Sequence, residues 1–145
     1  MLAPGGPLLD FLDGAPNGKK GGQPINAIDG QLGYTNGPYG ARLNATWVQG
    51  TTVDASSGLA PAGTLTFSDL TTINLRLFVN FANIQGLARK HPWLRGTRLT
   101  FNLYNVFDQQ LKVRDATGAT PAGYAAPFLD PTGRTFAVSI RKLVF

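Results

Sequence analysis

The sequence predicts an all-β chain, an antiparallel up-and-down sheet of about five strands. Two observations carry this. Apolar residues recur at every second position in several separated runs, a pattern that collects them on one face of a strand and would scatter them around a helix. Gly and Pro number 18 and 10 in 145 residues, and charged residues make up only 14% of the chain, against about 25% in an average soluble domain. Such a composition excludes helical bundles, coiled coils and charged disordered tails.

Residues 1–24 are rich in Gly, Pro and Asp and read as loop. Over 25–34, Ile28, Gly30, Leu32 and Tyr34 share a face opposed by Asp29 and Gln31. Thr35-Asn36-Gly37-Pro38 is a tight turn, because Asn-Gly reaches positive φ at low cost. Over 39–49, Ala41, Leu43, Ala45 and Trp47 face one way and Arg42, Asn44 and Thr46 the other, so the two runs form a β-hairpin. Residues 50–64 are a long polar loop. The longest run then sets Ile73, Leu75, Leu77, Val79 and Phe81 against Asn74, Arg76, Phe78 and Asn80. Residues 84–95 connect it to a strand in which Leu99, Phe101, Leu103 and Phe107 alternate with Arg98, Thr100, Asn102, Tyr104 and Asp108. A second long loop, 114–132, precedes a last strand with Phe136, Val138 and Ile140 opposite Thr135, Ala137, Ser139 and Arg141. No helix is expected.

Three features point these strands toward a membrane. Each apolar face stays free of charge over about 9–11 residues, the span a tilted strand needs to cross a bilayer. Arg42, Arg76, Arg98 and Arg141 all take the polar phase, where they avoid a cost of roughly 2–4 kcal/mol at lipid mid-depth. The lipid-facing set is then Leu43, Ala45, Ile73, Leu75, Leu77, Val79, Leu99, Phe101, Leu103, Phe136, Val138 and Ile140. The lumen-facing set is Arg42, Asn44, Asn74, Arg76, Arg98, Asn102 and Tyr104. Trp47 at the long-loop end and Tyr34, Tyr39 and Trp93 at the short-turn end fit aromatic girdles. Short turns at one end and long external loops at the other complete the pattern. Alternation alone is shared with soluble half-buried sheets. A small soluble antiparallel β binding module, contacting ligands or partners through its long loops, is therefore the alternative.

The chemistry-bearing residues are sparse. With no Cys there is neither a disulfide framework nor a thiolate metal site. The net charge of +5 is mild and scattered, which excludes a nucleic-acid stripe. His91, the one histidine, precedes Pro92 and reads as a solvated turn residue. Asp10 with Asp13, and Asp115 near Thr117-Gly118, read as loop solvation rather than calcium contacts. No catalytic set, cofactor motif or phosphate loop is found, so no enzyme is expected. Residues 1–20 show no basic stretch followed by an unbroken apolar core, so no signal peptide is expected.

Residues 96–145 resemble the C-terminal end of a TonB-dependent outer-membrane receptor. The resemblance lies in Asn105-Val106-Phe107-Asp108 at the close of a strand, in Val113-Arg114-Asp115, and in Asp130-Pro131-Thr132-Gly133-Arg134 before a final strand ending in Phe145. Phe67-Ser68-Asp69-Leu70 followed by Ile73-Asn74-Leu75-Arg76 resembles an upstream strand of the same family. The resemblance implies that the chain is a C-terminal segment of a transmembrane β-barrel of about 22 strands. The full-length form would lie in the bacterial outer membrane and import a scarce nutrient of the siderophore, cobalamin or saccharide class. It implies as partners outer-membrane lipid, the remaining strands and plug, TonB through an N-terminal part that these residues do not include, and the barrel-assembly machinery. The machinery's signal would fall on Gly133, Phe136, Val138, Ile140 and Phe145. Phe145 is one residue out of phase with the lipid face, and a bulge near Lys142 would restore it. On this reading the chain is a fragment with no cofactor of its own, and Met1 lies in what was an external loop.

Overall fold

The structure, a computed structural model, describes residues 21–54, 63–84, 86–130 and 132–143. It is mostly antiparallel β and divides into two compact units. The expected hairpin is present as β1 (Ala27–Asn36) and β2 (Tyr39–Val48). Gly37, at φ 55°, makes the turn that a residue with a Cβ would strain. Further along are β3 (Thr51–Val53), β4 (Leu65–Phe67), β5 (Leu70–Asn80), β6 (Thr97–Tyr104), β7 (Val113–Arg114) and β8 (Thr135–Lys142).

One unit holds the five-stranded sheet, in the order β1-β2-β5-β6-β8. The sheet is open: β1 and β8 are edges rather than partners, so no barrel closes within the described residues. Each strand lies beside its sequence neighbour within this sheet, as an up-and-down meander requires. The β5–β6 and β6–β8 ladders are antiparallel and without slip, running from Leu75↔Leu103 to Asn80↔Arg98 and from Thr97↔Lys142 to Tyr104↔Thr135. The Asn80 N–H donates to the Pro38 carbonyl at 2.7 Å, which puts the β1–β2 turn and the β5–β6 connection at one end of the sheet.

The other unit draws on the described residues of Met1–Ala27, Val48–Leu70 and Gln110–Pro131. Its three-stranded sheet, in the order β3-β4-β7, packs a dry core of Val53, Leu65, Phe67 and Val113. The Tyr124 ring meets Phe67 edge-on at 5.8 Å. This unit corrects the expectation that 50–64 and 114–132 are loops alone. Thr51–Val53 pairs with Leu65–Phe67, and Thr66 and Phe67 pair with Arg114 and Val113. Thr and Val favour a pleated, half-buried surface, and strands two or three residues long suffice to bury four apolar side chains.

Two further expectations are corrected. The chain has short helical turns, at Phe81–Asn83, Leu87–Lys90, Pro92–Leu94, Ala122–Tyr124 and Ala126–Leu129. They sit where Pro and small residues interrupt the alternation. The strand expected to run through Phe107 and Asp108 stops at Tyr104, because Asn105 and Asp108 adopt left-handed backbone at φ 51° and 55°. Asn and Asp tolerate that region better than other residues with a Cβ.

Candidate functional site

The informative surfaces are the two faces of the five-stranded sheet. On one face the ladders set apolar residues in rows: Leu75–Leu103–Phe136, Leu77–Phe101–Val138 and Val79–Leu99–Ile140. The phase of β2 follows from Gly40, where an added Cβ would overlap the Phe78 ring. Gly40 therefore shares the opposite face with Phe78, and Leu43 and Ala45 join the apolar one. The phase of β1 follows from Thr46, whose hydroxyl donates to the Asp29 carboxylate at 2.7 Å. Ile28, Leu32 and Tyr34 thus fall on the apolar face too. Ile73 takes the same phase one step before Leu75, and its carbonyl accepts from the Val106 N–H at 2.8 Å.

No layer of the described residues covers this face. Phe136 is 76% exposed, Val138 62% and Ile140 72%, and Ile28, Leu32 and Leu77 are exposed as well. Leu75, Leu99, Phe101 and Leu103 are only half-buried, shielded by their neighbours in the sheet. Tyr34, Tyr39 and Trp93 are exposed at the end that carries the tight turn, and Trp47 lies half-buried at the other end of β2. No helix among the described residues is long and apolar enough to cross a membrane.

The opposite face is polar and basic. Arg76 Nε donates to Asn102 Oδ1 at 2.8 Å across the β5–β6 ladder, and Asn102 is buried. The Arg98 guanidinium lies 4.1 Å from the centre of the Phe78 ring, a cation–π stack. Arg98 and Arg141 are direct cross-strand partners. These residues line a groove of about 440 Å³ with Arg42, Thr100 and Ser139. Asn44 and Tyr104 are exposed outside that groove. Strand phase alone assigns Phe78, Thr100, Ser139 and Arg141 to this face, though only Arg141 carries a functional group that draws notice in a sequence.

The Asn105–Asp108 segment is a junction. The Asn105 N–H donates to Asn74 Oδ1 at 2.9 Å; the Asn105 side-chain amide donates to the Gln109 carbonyl at 2.8 Å and accepts from the Gln109 N–H at 2.9 Å. Asp108 Oδ1 accepts from the Arg134 N–H at 2.8 Å, tying this turn to the approach of β8, next to Gly133 at φ 51°. Asn74 therefore serves the sheet's own backbone. No slip interrupts the β6–β8 ladder up to Lys142, so the bulge expected there is not found within β8. Phe145 lies outside the described residues, as do Asp10 and Asp13. Lys142 Nζ donates to the Trp93 carbonyl.

Asp115 closes a small loop instead of offering a cation site. One carboxylate oxygen accepts from the Thr117 N–H, the Thr117 hydroxyl and the Ala119 N–H at 2.9, 2.6 and 3.0 Å. The Thr117 hydroxyl is the main cause holding the Asp115 carboxyl below its ordinary value of 3.8. Among the described residues no cluster of His, Cys, Asp and Glu could hold a metal ion.

No protein-family model, no curated protein and no solved structure matches this chain.

Proposed function

We propose that the five-stranded sheet is part of the transmembrane wall of an outer-membrane β-barrel, the C-terminal portion of a TonB-dependent receptor. The observation that carries the reading is the pairing of faces. Three successive rows are apolar and uncovered on one side, and basic or hydrogen-bonding residues fill the other. Exposed apolar area of this extent marks a surface that meets lipid or another protein. The edges agree with it. Among the described residues β1 and β8 have no strand on their outer sides, and lipid cannot satisfy edge backbone groups, so in this reading further strands close the sheet. In this reading the rest of the barrel and its plug supply closure. The barrel-assembly machinery inserts it, TonB acts through an N-terminal part, and the cargo is a scarce nutrient of the siderophore, cobalamin or saccharide class.

The test is the solvent requirement of folding. Circular dichroism and sedimentation of the purified chain are compared in plain buffer, in detergent micelles and in lipid vesicles. Strand signal with a discrete mass only in detergent or lipid is expected. A monomer that melts cooperatively in buffer alone overturns the reading. That result would favour the soluble binding module, for which the dry core of Val53, Leu65, Phe67 and Val113 speaks.

A further inference from the structure

The geometry points to a binding site for a small, multiply charged oxyanion on the polar face of the five-stranded sheet, centred on Arg98 and Arg141. Arg98 and Arg141 are direct cross-strand partners and line the same groove. Like charges directly opposite on a sheet face destabilise it. Arg42 and Arg76 add two more guanidinium groups to the same groove, and among the described residues no carboxylate lines it. A bound anion is the arrangement that neutralises such a row.

The groove is also prepared for one. The contact with the Phe78 ring holds the Arg98 guanidinium at the groove, and a guanidinium so placed can offer paired N–H groups to an oxyanion. Phe78 can lie over β2 because residue 40 is glycine. The Arg76–Asn102 bond holds a second guanidinium in place, and the Thr100 and Ser139 hydroxyls stand at the groove wall as neutral donors. A volume of about 440 Å³ suits a small polyanion rather than a folded partner. Register, groove lining and these side-chain contacts are the same whether the apolar face meets lipid or protein.

The test titrates the full chain, in whichever of buffer or detergent gives its β-sheet signal, with inorganic phosphate, sulfate and citrate by calorimetry. Binding that weakens as salt rises is expected. Arg98→Gln and Arg141→Gln should each weaken citrate binding at least about tenfold. Arg89→Gln, in the exposed β5–β6 connection, should change it by less than about twofold. Arg98→Glu turns the like-charged row into an ion pair, so it should abolish anion binding while raising the midpoint of thermal unfolding. Equal citrate affinity in the original chain and the Arg98→Gln/Arg141→Gln double variant overturns the proposal. So does an acidic hexapeptide that binds more tightly than citrate, which would give the face to a protein partner. Binding seen only with anionic-lipid vesicles, and with none of the three soluble anions, would assign the cluster to lipid headgroups and also overturn it.

Discussion

Phe101 on β6 and Val138 on β8 are direct cross-strand partners, yet Val138 keeps 62% of its surface exposed. A pair of this kind in a soluble sheet is closed off by a second layer, since burying such a side chain contributes about 1.5–3 kcal/mol. Here the row ends in an open apolar face, and the most direct consequence concerns charge. Val138→Arg should cost about 2–4 kcal/mol in a bilayer. Ala137→Arg, one residue away on the polar face, should cost less, because there the charge meets water rather than lipid. Urea unfolding of the two variants from lipid vesicles measures the difference.

Asn105 joins three segments from a left-handed backbone conformation. Asn105→Ala loses both side-chain bonds to Gln109 and strains the φ of 51°, at a combined cost of about 2–4 kcal/mol. Asn105→Gly relieves the strain and loses only the bonds, so it should cost roughly half as much. Denaturant midpoints of the two variants, compared at equal slope, check the ordering.

Gly40 is the floor beneath Phe78. Gly40→Ala forces the ring to shift, at about 1–3 kcal/mol, and disturbs the Arg98 stack above it. The side-chain Nε–Hε resonance of Arg98 in the NMR spectrum should move in Gly40→Ala and stay in place in Gly37→Asn, which alters only the turn.

Leu65 is among the most deeply buried side chains of the three-stranded sheet. Leu65→Ala should cost about 2–5 kcal/mol through lost burial and the cavity it leaves. Hydrogen exchange should show the loss at Thr51–Val53 and Val113–Arg114.

Asp115 makes the 115–119 loop sensitive to acid. Its carboxyl is held below 3.8 in the folded chain, chiefly by the Thr117 hydroxyl, so the loop is fully stapled above that value. The staple is lost as pH falls through the lowered folded-state pKa, because protonation favours the open form. Protection of the Thr117 and Ala119 amides, taken relative to the intrinsic exchange rate at each pH, should therefore hold steady from neutral pH down to about pH 5 and fall in stronger acid. In Asp115→Asn it should be low throughout.

The long strands are legible in the sequence because period two is written over eight or more residues. Ile73 through Val79 and Phe136 through Ile140 fall on the faces their phase assigns. The small sheet is not legible, since a strand as short as Val113–Arg114 shows no period at all. Its core residues, Val53, Leu65, Phe67 and Val113, are far apart in the chain and become neighbours only through pairing. The alternation through Phe107 misleads for a different reason. A side chain two residues beyond Asn105 can keep strand phase in the sequence while the backbone has already turned. Asn102 and Asn74 read as polar-face residues, and the bonds their amides make to Arg76 and the Asn105 backbone are what the sequence does not show. Phase separates the two faces, and exposure distinguishes an uncovered face from a core.

The chain has no cysteine, which makes single-cysteine labelling along β8 straightforward. Nitroxides placed one at a time from 135 to 140 in lipid vesicles report their collisions with oxygen and with a water-soluble nickel chelate. The lipid-wall account predicts a period of two, with 136, 138 and 140 favouring oxygen and 135, 137 and 139 favouring the chelate. Labels at 136, 138 and 140 that reach neither reagent would place those residues against packed protein and contradict it.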